Sequence, residues 1–356
     1  MTCSPLQGST TTRPTVSVII LNYNGLAFLP RCLETLQKTK YSPLELVVVD
    51  NRSTDGSADY LRRSCPGIKL IELRENHGFA GAYNAAVPQA AGEIVVLLNF
   101  DVEVEPGWLD QAVELLAAEP RLAAAQPKLR SLQRRDFFEY SGGSGGYIDR
   151  HGYPFVRGRL FEAIEPDTGQ YDDVVPIFWA TGAALVTRKS AYLEAGGLDA
   201  DFFMHMEELD LCWRYWLMGY QVKVAPRGVV FHWAGAALSA DRFHKMYFNH
   251  RNGLVMLLKN YSLSSLLRNL PGRLALDWVT VVTSLFRGEP KRSAAVLAAH
   301  VYTLWCLPSI CAKRRRVQRL RKVPDRELAR VIYPHSIVWR HFIRKQSTYT
   351  QLAAEW

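Results

Sequence analysis

Cysteine is sparse in this chain and unpatterned. Cys3, Cys32, Cys65, Cys212, Cys306 and Cys311 are scattered, with no pair at zinc-site spacing. A chain of 356 residues buries enough apolar surface to do without a disulfide framework, so the thiols read as reduced and mostly buried. The start, through Ser9-Thr10-Thr11-Thr12, lacks the charged opening and apolar stretch of a signal peptide, which leads us to expect a cytoplasmic protein. No Gly-rich loop with basic residues lies near the N-terminus, as a nucleotidyltransferase would need for a triphosphate. Basic residues are not interleaved with aromatics in the manner of a nucleic-acid-binding sheet, so no nucleic-acid partner is expected. Long apolar runs are also missing. The two strongest, Leu274 to Phe286 and Ala294 to Ile310, carry Asp277 in the first and His300 and Pro308 in the second. The second is about the shortest segment that can span a bilayer.

What is present is a folded protein's composition, 48% hydrophobic and 22% charged. The net charge of +9 is concentrated late, with Lys313-Arg314-Arg315-Arg316, Arg319, Arg321 and Lys322 in one dense run. Phosphate, anionic lipid and plain solvation are the partners such a run suits. The apolar pattern alternates between strand and helix. Val16–Leu21, Leu44–Val49, Ile68–Leu73 and Ile94–Leu98 read as buried strands, each followed by a helical segment. That order implies an α/β fold with a mostly parallel sheet and helices on both faces. From Ser131 to Gln170 the pattern breaks, and Ser141-Gly142-Gly143-Ser144-Gly145-Gly146 reads as an irregular connection or mobile flap. Val174–Thr187 reads as strand-like, Arg188–Ala195 and Glu207–Met218 as helices, and Val222–Val224 and Val229–Phe231 as short strands. For the tail from Lys245, three readings stand: interfacial helices on an inner membrane leaflet, plain core helices, or true spans.

Most of the strands end in a polar cluster, where open α/β sheets bind ligands. Leu97-Leu98-Asn99-Phe100-Asp101-Val102-Glu103 is the sharpest case, because Asn99 and Asp101 point to one side of an extended segment. A hard cation binds through one or two carboxylates and substrate phosphates, which makes Asp101 a metal–diphosphate candidate.

Five blocks, in order over about residues 14–260, carry a resemblance to a known family. They are Val16-Ser17-Val18-Ile19-Ile20-Leu21-Asn22-Tyr23-Asn24, Val49-Asp50-Asn51-Arg52-Ser53-Thr54-Asp55-Gly56-Ser57, Glu75-Asn76-His77-Gly78-Phe79-Ala80-Gly81-Ala82-Tyr83-Asn84, Leu98-Asn99-Phe100-Asp101, and Gly196-Gly197-Leu198-Asp199 through Phe202 to Arg214. The chain resembles the family-two inverting glycosyltransferases of the GT-A (Rossmann-like) fold, and within them the bacterial rhamnosyltransferase branch that builds cell-surface polysaccharides. This implies a GT-A domain over 14–244, with a nucleotide-binding half to about 125 and an acceptor half after it, and a helical region over 245–356.

The resemblance also implies roles. Asn22, Asp50, Asn76, Gly78, Asn99 and Asp101 would meet the nucleotide sugar, Asp50 at the base. Asp55 would brace its loop or meet the ribose, or cap a helix. Asp101 and His232 would hold Mg²⁺ or Mn²⁺. In Glu207-Glu208-Leu209-Asp210, motif position favours Glu208 as the base that takes the acceptor hydroxyl proton, with Glu207 the alternative and Asp210 sharing Glu207's helix face. Arg214 and Arg251 are candidates for a phosphate clamp. Trp179, Thr181 and Gly182 would shape the acceptor pocket, with core packing the alternative for Trp179. Asn84 is either a site residue or a structural hydrogen bonder. The expected partners are a nucleotide-sugar donor, such as dTDP-rhamnose, and a glycan or polyprenyl-linked acceptor at the inner membrane surface. The other reading is an inactive nucleotide-sugar-binding protein.

Overall fold

The structure is a computed structural model and describes residues 13–233 and 242–356. Cys3, the polar Ser9–Thr12 opening and Ala234-Gly235 lie outside the described residues. The first half is the expected alternation: β1 (Val16–Asn22), α1 (Leu29–Leu36), β2 (Leu44–Asp50), α2 (Ser57–Ser64), β3 (Lys69–Glu72), α3 (Gly78–Ala86), β4 (Ile94–Asn99), β5 (Val102–Val104), α4 (Asp110–Ala118) and β6 (Leu122–Ser131). There follow β7 (Gly146–Asp149), β8 (Pro154–Val156), β9 (Arg159–Leu160), β10 (Ala163–Ile164), β11 (Ala184–Arg188), α5 (Lys189–Glu194), α6 (Glu207–Leu217) and β12 (Gln221–His232). The tail holds α7 (Arg242–Asn260), α8 (Leu263–Phe286), α9 (Pro290–Trp305), α10 (Leu307–Leu320), β13 (Ile332–Tyr333), α11 (Ile337–Phe342) and α12 (Tyr349–Ala353).

The large sheet runs β3-β2-β1-β4-β11-β6-β12-β5. Its first four strands are parallel, and β11 enters antiparallel to β4. The period-two alternation is visible in β1. Val16, Val18 and Ile20 pack into one core cluster, and Ile19 and Leu21 into the cluster on the other face. Strand order reverses between β1 and β4, the point at which a doubly wound sheet opens a crevice at its carboxyl edge.

Three segments differ from the sequence reading. The Gly-rich stretch is not a flap: Gly142–Gly146 are buried and lead into a second sheet, β10-β9-β8-β7-β13. A Cβ at Gly146 would fall 2.1 Å from the Trp179 indole, so this glycine serves close packing. Only Ala184–Arg188 of the 174–187 segment is strand. The stretch before it bridges the sheets, with the Ile177 amide donating to Val222 and that of Phe178 to Gly146. The two short strands at 222–231 are one strand, β12, with a register shift between Ala225 and Val229.

The tail packs on the rest of the chain. β13 pairs with β7, and Leu257, Val331 and Leu352 join the core cluster that holds Ile19. Asp277, expected to oppose a spanning helix, is fully buried. It accepts from Tyr153 Oη (3.1 Å) and Arg273 Nε (3.1 Å), and faces His250 Nδ1 (2.9 Å) and His300 Nε2 (3.1 Å). Burial alone would raise its pKa, but Arg273 and the two imidazoles outweigh this and hold it well below the usual carboxylate range. Asp277→Ala leaves the buried Arg273 uncompensated, and is expected to cost about 3–5 kcal/mol in urea or thermal unfolding. A loss under 1 kcal/mol, on the order of an exposed pair, would refute this account. The basic run is also partly internal: Lys313 pairs with Asp199 and Asp201, and Arg314 donates to the Leu258 and Tyr261 carbonyls.

Candidate active site

A cleft of about 420 Å³ lies at the carboxyl edge of β1 and β4. A depression of about 870 Å³ near Arg13, Glu93 and Lys189 is larger, but none of its lining residues carries a buried polar atom left without a partner. The cleft has such atoms: His205 Nε2, Glu207 Oε2 and Glu208 Oε2. Unpaired buried polar groups are costly, and their convergence on one cavity marks a place built for a ligand.

The floor of the cleft is built at the strand ends. Asn22 Nδ2, closing β1, donates to Asp50 Oδ1 (2.8 Å), Ser57 Oγ (2.8 Å) and Ser53 Oγ (3.0 Å). The Ser53 amide donates to Asp50 Oδ2 (3.0 Å), so both carboxylate oxygens are engaged and Asp50 is buried outside the cleft lining. Asp55 accepts from the Leu26 amide (2.8 Å) and from Ser57 N and Oγ (3.0 and 2.6 Å). It braces the loop, and the helix-capping position itself is Gly56. Asn51, which the sequence reading did not single out, lines the cleft and joins two loops by donating to Asn76 Oδ1 (2.9 Å). Asn76 Oδ1 also accepts from the Gly78 amide (2.8 Å). Gly78 adopts φ +66°, and a Cβ there would sit 2.5 Å from the Phe203 carbonyl. Its missing side chain therefore accommodates the Phe203 backbone, and Gly78 itself lines the cleft.

One corner gathers Asn99, Asp101 and His232. The β12–β5 pairing sets His232 opposite Val102, placing His232 Nε2 3.2 Å from both Asp101 Oδ1 and Asn99 Nδ2. On its other side His232 Nδ1 lies 3.1 Å from Glu139 Oε1, a fully buried carboxylate that the sequence reading missed. Glu139 also accepts from the Ser141 amide (2.6 Å). Burial disfavours a charged His232, yet the carboxylates of Asp101 and Glu139 overcome this and raise its pKa to about 10. The two carboxylates thus favour positive charge at this corner. Among the described residues no three His, Cys, Asp or Glu side chains form a complete metal cage. A hard cation that takes remaining ligands from a diphosphate requires none.

The opposite wall is the loop before α6. Phe203, His205 and Met206 have φ of +63°, +68° and +70°, conformations that L side chains adopt at a cost. Asn252 of α7 holds this loop, its Nδ2 donating to the Phe202, Met204 and His205 carbonyls (3.1, 2.9 and 2.7 Å). The loop delivers both Glu207 and Glu208 to the cleft lining. Burial raises the Glu208 pKa to about 7, partly opposed by the Gly182 amide. Burial and the neighbouring Glu208 push Glu207 well above the usual range. Gly182 and Thr181 line the cleft, and a Cβ at Gly182 would lie 2.7 Å from the Phe79 ring.

The sequence profile described as Glycosyl transferase family 2 matches residues 17–165, which hold the floor of this cleft and the Asn99–Asp101 corner. The chain is a glycosyltransferase, similar over that segment to glycosyltransferase family 2. This glycosyltransferase is 26% identical to the N-acetylglucosaminyl-diphospho-decaprenol L-rhamnosyltransferase of Mycobacterium tuberculosis, over 77% of this chain and 95% of that protein. Two solved structures share its GT-A fold. GalNAc-T7 with UDP, GalNAc and Mn²⁺ matches at TM-score 0.55 and 16% identity, over 70% of this chain and 48% of that one. The mannosyltransferase PcManGT of Pyrobaculum calidifontis, with GDP-Man and Mn²⁺, matches at TM-score 0.50 and 21% identity, over 83% and 88%.

Several residues expected in the glycosyltransferase site lie elsewhere. Asp210 is fully buried, accepting from Arg214 Nε (3.1 Å), Lys259 Nζ (3.1 Å) and Asn260 Nδ2 (2.8 Å). It anchors α6 to α7, because the helix starts at Glu207 and its third residue on already faces the core. Arg214 is used up by Asp210 and the Ala195 carbonyl, and Arg251 by the Asp201 and Phe202 carbonyls, so neither is a phosphate clamp. Trp179 packs on Gly146 and donates from Nε1 to the Tyr147 carbonyl (3.0 Å), which is the core-packing alternative. Asn84 is structural, bonded to both backbone groups of Leu198 (2.7 and 2.9 Å) and to Tyr192 Oη (2.6 Å).

Proposed function

We propose that this glycosyltransferase moves a sugar with inversion from a nucleoside diphosphate to a lipid-linked glycan acceptor, with divalent-cation assistance, at the inner face of the cytoplasmic membrane. The observation that carries the reading is one cleft with two chemically distinct walls: Asp101 and His232 on one, Glu207 and Glu208 on the other. Inverting transfer is a single displacement, which needs negative charge offset on the leaving side and a proton acceptor on the attacking side.

On the leaving side, Asp101 Oδ1 and His232 Nε2, the latter once the cation displaces its proton, are the donors that fit Mg²⁺ or Mn²⁺. A cation bound there would offset charge developing on the departing diphosphate. Glu139 holds the His232 ring from behind, the arrangement that fixes a ligating imidazole's orientation. Glu139→Gln is therefore expected to weaken Mn²⁺ binding about 10–100-fold, read by titration of the metal in the presence of nucleoside diphosphate. Unchanged affinity would remove Glu139 from this role. On the attacking side, Glu208 takes the acceptor hydroxyl proton, since its ionisation near 7 leaves it available as a base at neutral pH. Burial and the adjacent Glu208 carboxylate favour the protonated form of Glu207 beside it. Asn51, Asn76 and Gly78 line the nucleotide side of the cleft, and Thr181 and Gly182 the acceptor side.

dTDP-rhamnose is the leading donor, supported by the rhamnosyltransferase relative, whose name also specifies a decaprenyl-diphosphate-linked acceptor. The test is a donor panel with Mn²⁺ or Mg²⁺, following release of nucleoside diphosphate with and without EDTA. EDTA-sensitive release from one donor is the expected result. No release from any donor, together with nucleotide-induced thermal stabilisation, would leave a nucleotide-sugar-binding protein without transferase activity.

A further inference from the structure

We infer that the outer faces of α8 and α9 are a docking surface for an anionic lipid bilayer, an inference that deepens the lipid-linked acceptor reading and rests on it for its purpose. The inner face of α8, with Asn269, Arg273 and Asp277, is buried. The outer face is apolar along its whole length, with Leu263, Leu267, Leu274, Trp278, Val282 and Leu285 exposed at helical spacing. A 24-residue helix is about 36 Å long, so this stripe is one continuous apolar patch of the size that marks an interaction surface. α9 continues it with Val301 and Leu304, and the two helices end on Phe286 and Trp305, 89% and 86% exposed.

Charge decides the occupant. Between 263 and 310 the acidic residues are Asp277, which is buried, and Glu289, which pairs with Arg292. Arg268, Arg287, Lys291 and Arg292 are exposed beside the apolar stripe. A second copy of the chain would bring these like charges together, whereas an anionic leaflet complements them. No single described helix is long and apolar enough to cross a bilayer, and α9 and α10, which together reach that length and composition, are bent by 72°.

The surface leads to the site. α9 packs on α7, and a groove of about 510 Å³ between them, lined by Tyr247, Val301 and Trp305, opens on the same face. Two residues before Tyr247, Lys245 lines the catalytic cleft. Asn252, further along α7, holds the loop that presents Glu207 and Glu208. Docking would thus set the cleft beside the leaflet that carries the acceptor's lipid.

Vesicle co-sedimentation of the full chain, without donor or acceptor, tests this with phosphatidylglycerol-containing and pure phosphatidylcholine vesicles. Binding to the anionic vesicles, weakened by salt, is expected. Phe286→Glu and Trp305→Glu should each reduce partitioning about tenfold or more with the unfolding midpoint unchanged. Absence of binding by the unsubstituted chain, or a dimer in light scattering that Trp305→Glu splits, would overturn the inference. Transfer to a detergent-dispersed acceptor is read separately. Transfer without vesicle binding defeats the docking surface alone, and vesicle binding without transfer defeats the acceptor reading alone.

Discussion

Asp101→Ala is expected to lower kcat/KM by at least about 10³-fold, the largest effect of any single substitution in this protein. Asp101 is the carboxylate that closes the leaving-group corner, and its Oδ1 faces only His232 Nε2, at 3.2 Å. Its removal takes away the carboxylate that would hold the cation against the departing diphosphate. The same variant should lose the Mn²⁺-dependent tightening of nucleoside diphosphate binding, which calorimetry measures independently of turnover. Activity within tenfold of the unsubstituted enzyme, with metal-dependent nucleotide binding intact, would remove Asp101 from the cation site.

The second large effect is at Glu208. Glu208→Gln is expected to reduce kcat by about 10²–10⁴-fold while leaving the donor KM close to its original value, because general-base help is confined to the transition state. Since burial raises the Glu208 pKa to about 7, the protonated and inactive form accumulates as pH falls below that value. Wild-type kcat should then drop about tenfold per pH unit on the acid side, and the residual activity of Glu208→Gln should lack that limb. The stability sign is opposite. A carboxyl whose folded-state pKa is raised favours the fold while protonated, and that contribution is lost as pH rises through about 7. The amide, which never ionises, should thus melt no lower than the parent above this pH. A larger loss in Glu207→Gln than in Glu208→Gln would transfer the base assignment to Glu207.

The parallel half of the fold was readable because its information is local. The apolar runs ending at Asn22, Asp50 and Asn99 declare buried strands and the edge at which they stop, and the intervening helices carry their own spacing. The Asn99–Asp101 pair needed only the alternation of an extended segment to be placed together. The acceptor half was less legible. Val222–Val224 and Val229–Phe231 merge into one strand because register with β6, a long-range property, carries across the irregularity between them. The glycines at 142–146 look like a mobile link in sequence, and are demanded by Thr181, Ile177 and Trp179, all more than thirty residues away.

The sequence by itself determined the α/β alternation, the resemblance to the family, and the chemical types available at the strand ends, since these reside in short motifs and in side-chain chemistry. Tertiary structure alone decided which of those side chains face the cleft. Asp210 carries the same charge as Glu208 in the sequence, but Lys259 and Asn260 arrive on α7 to take Asp210 inward. Glu139 has no motif, and becomes part of the site only because packing brings it within 3.1 Å of His232, ninety-three positions further along the chain. A charge in a folded interior acts on whatever the fold sets beside it, and that neighbour is not written next to it in the chain.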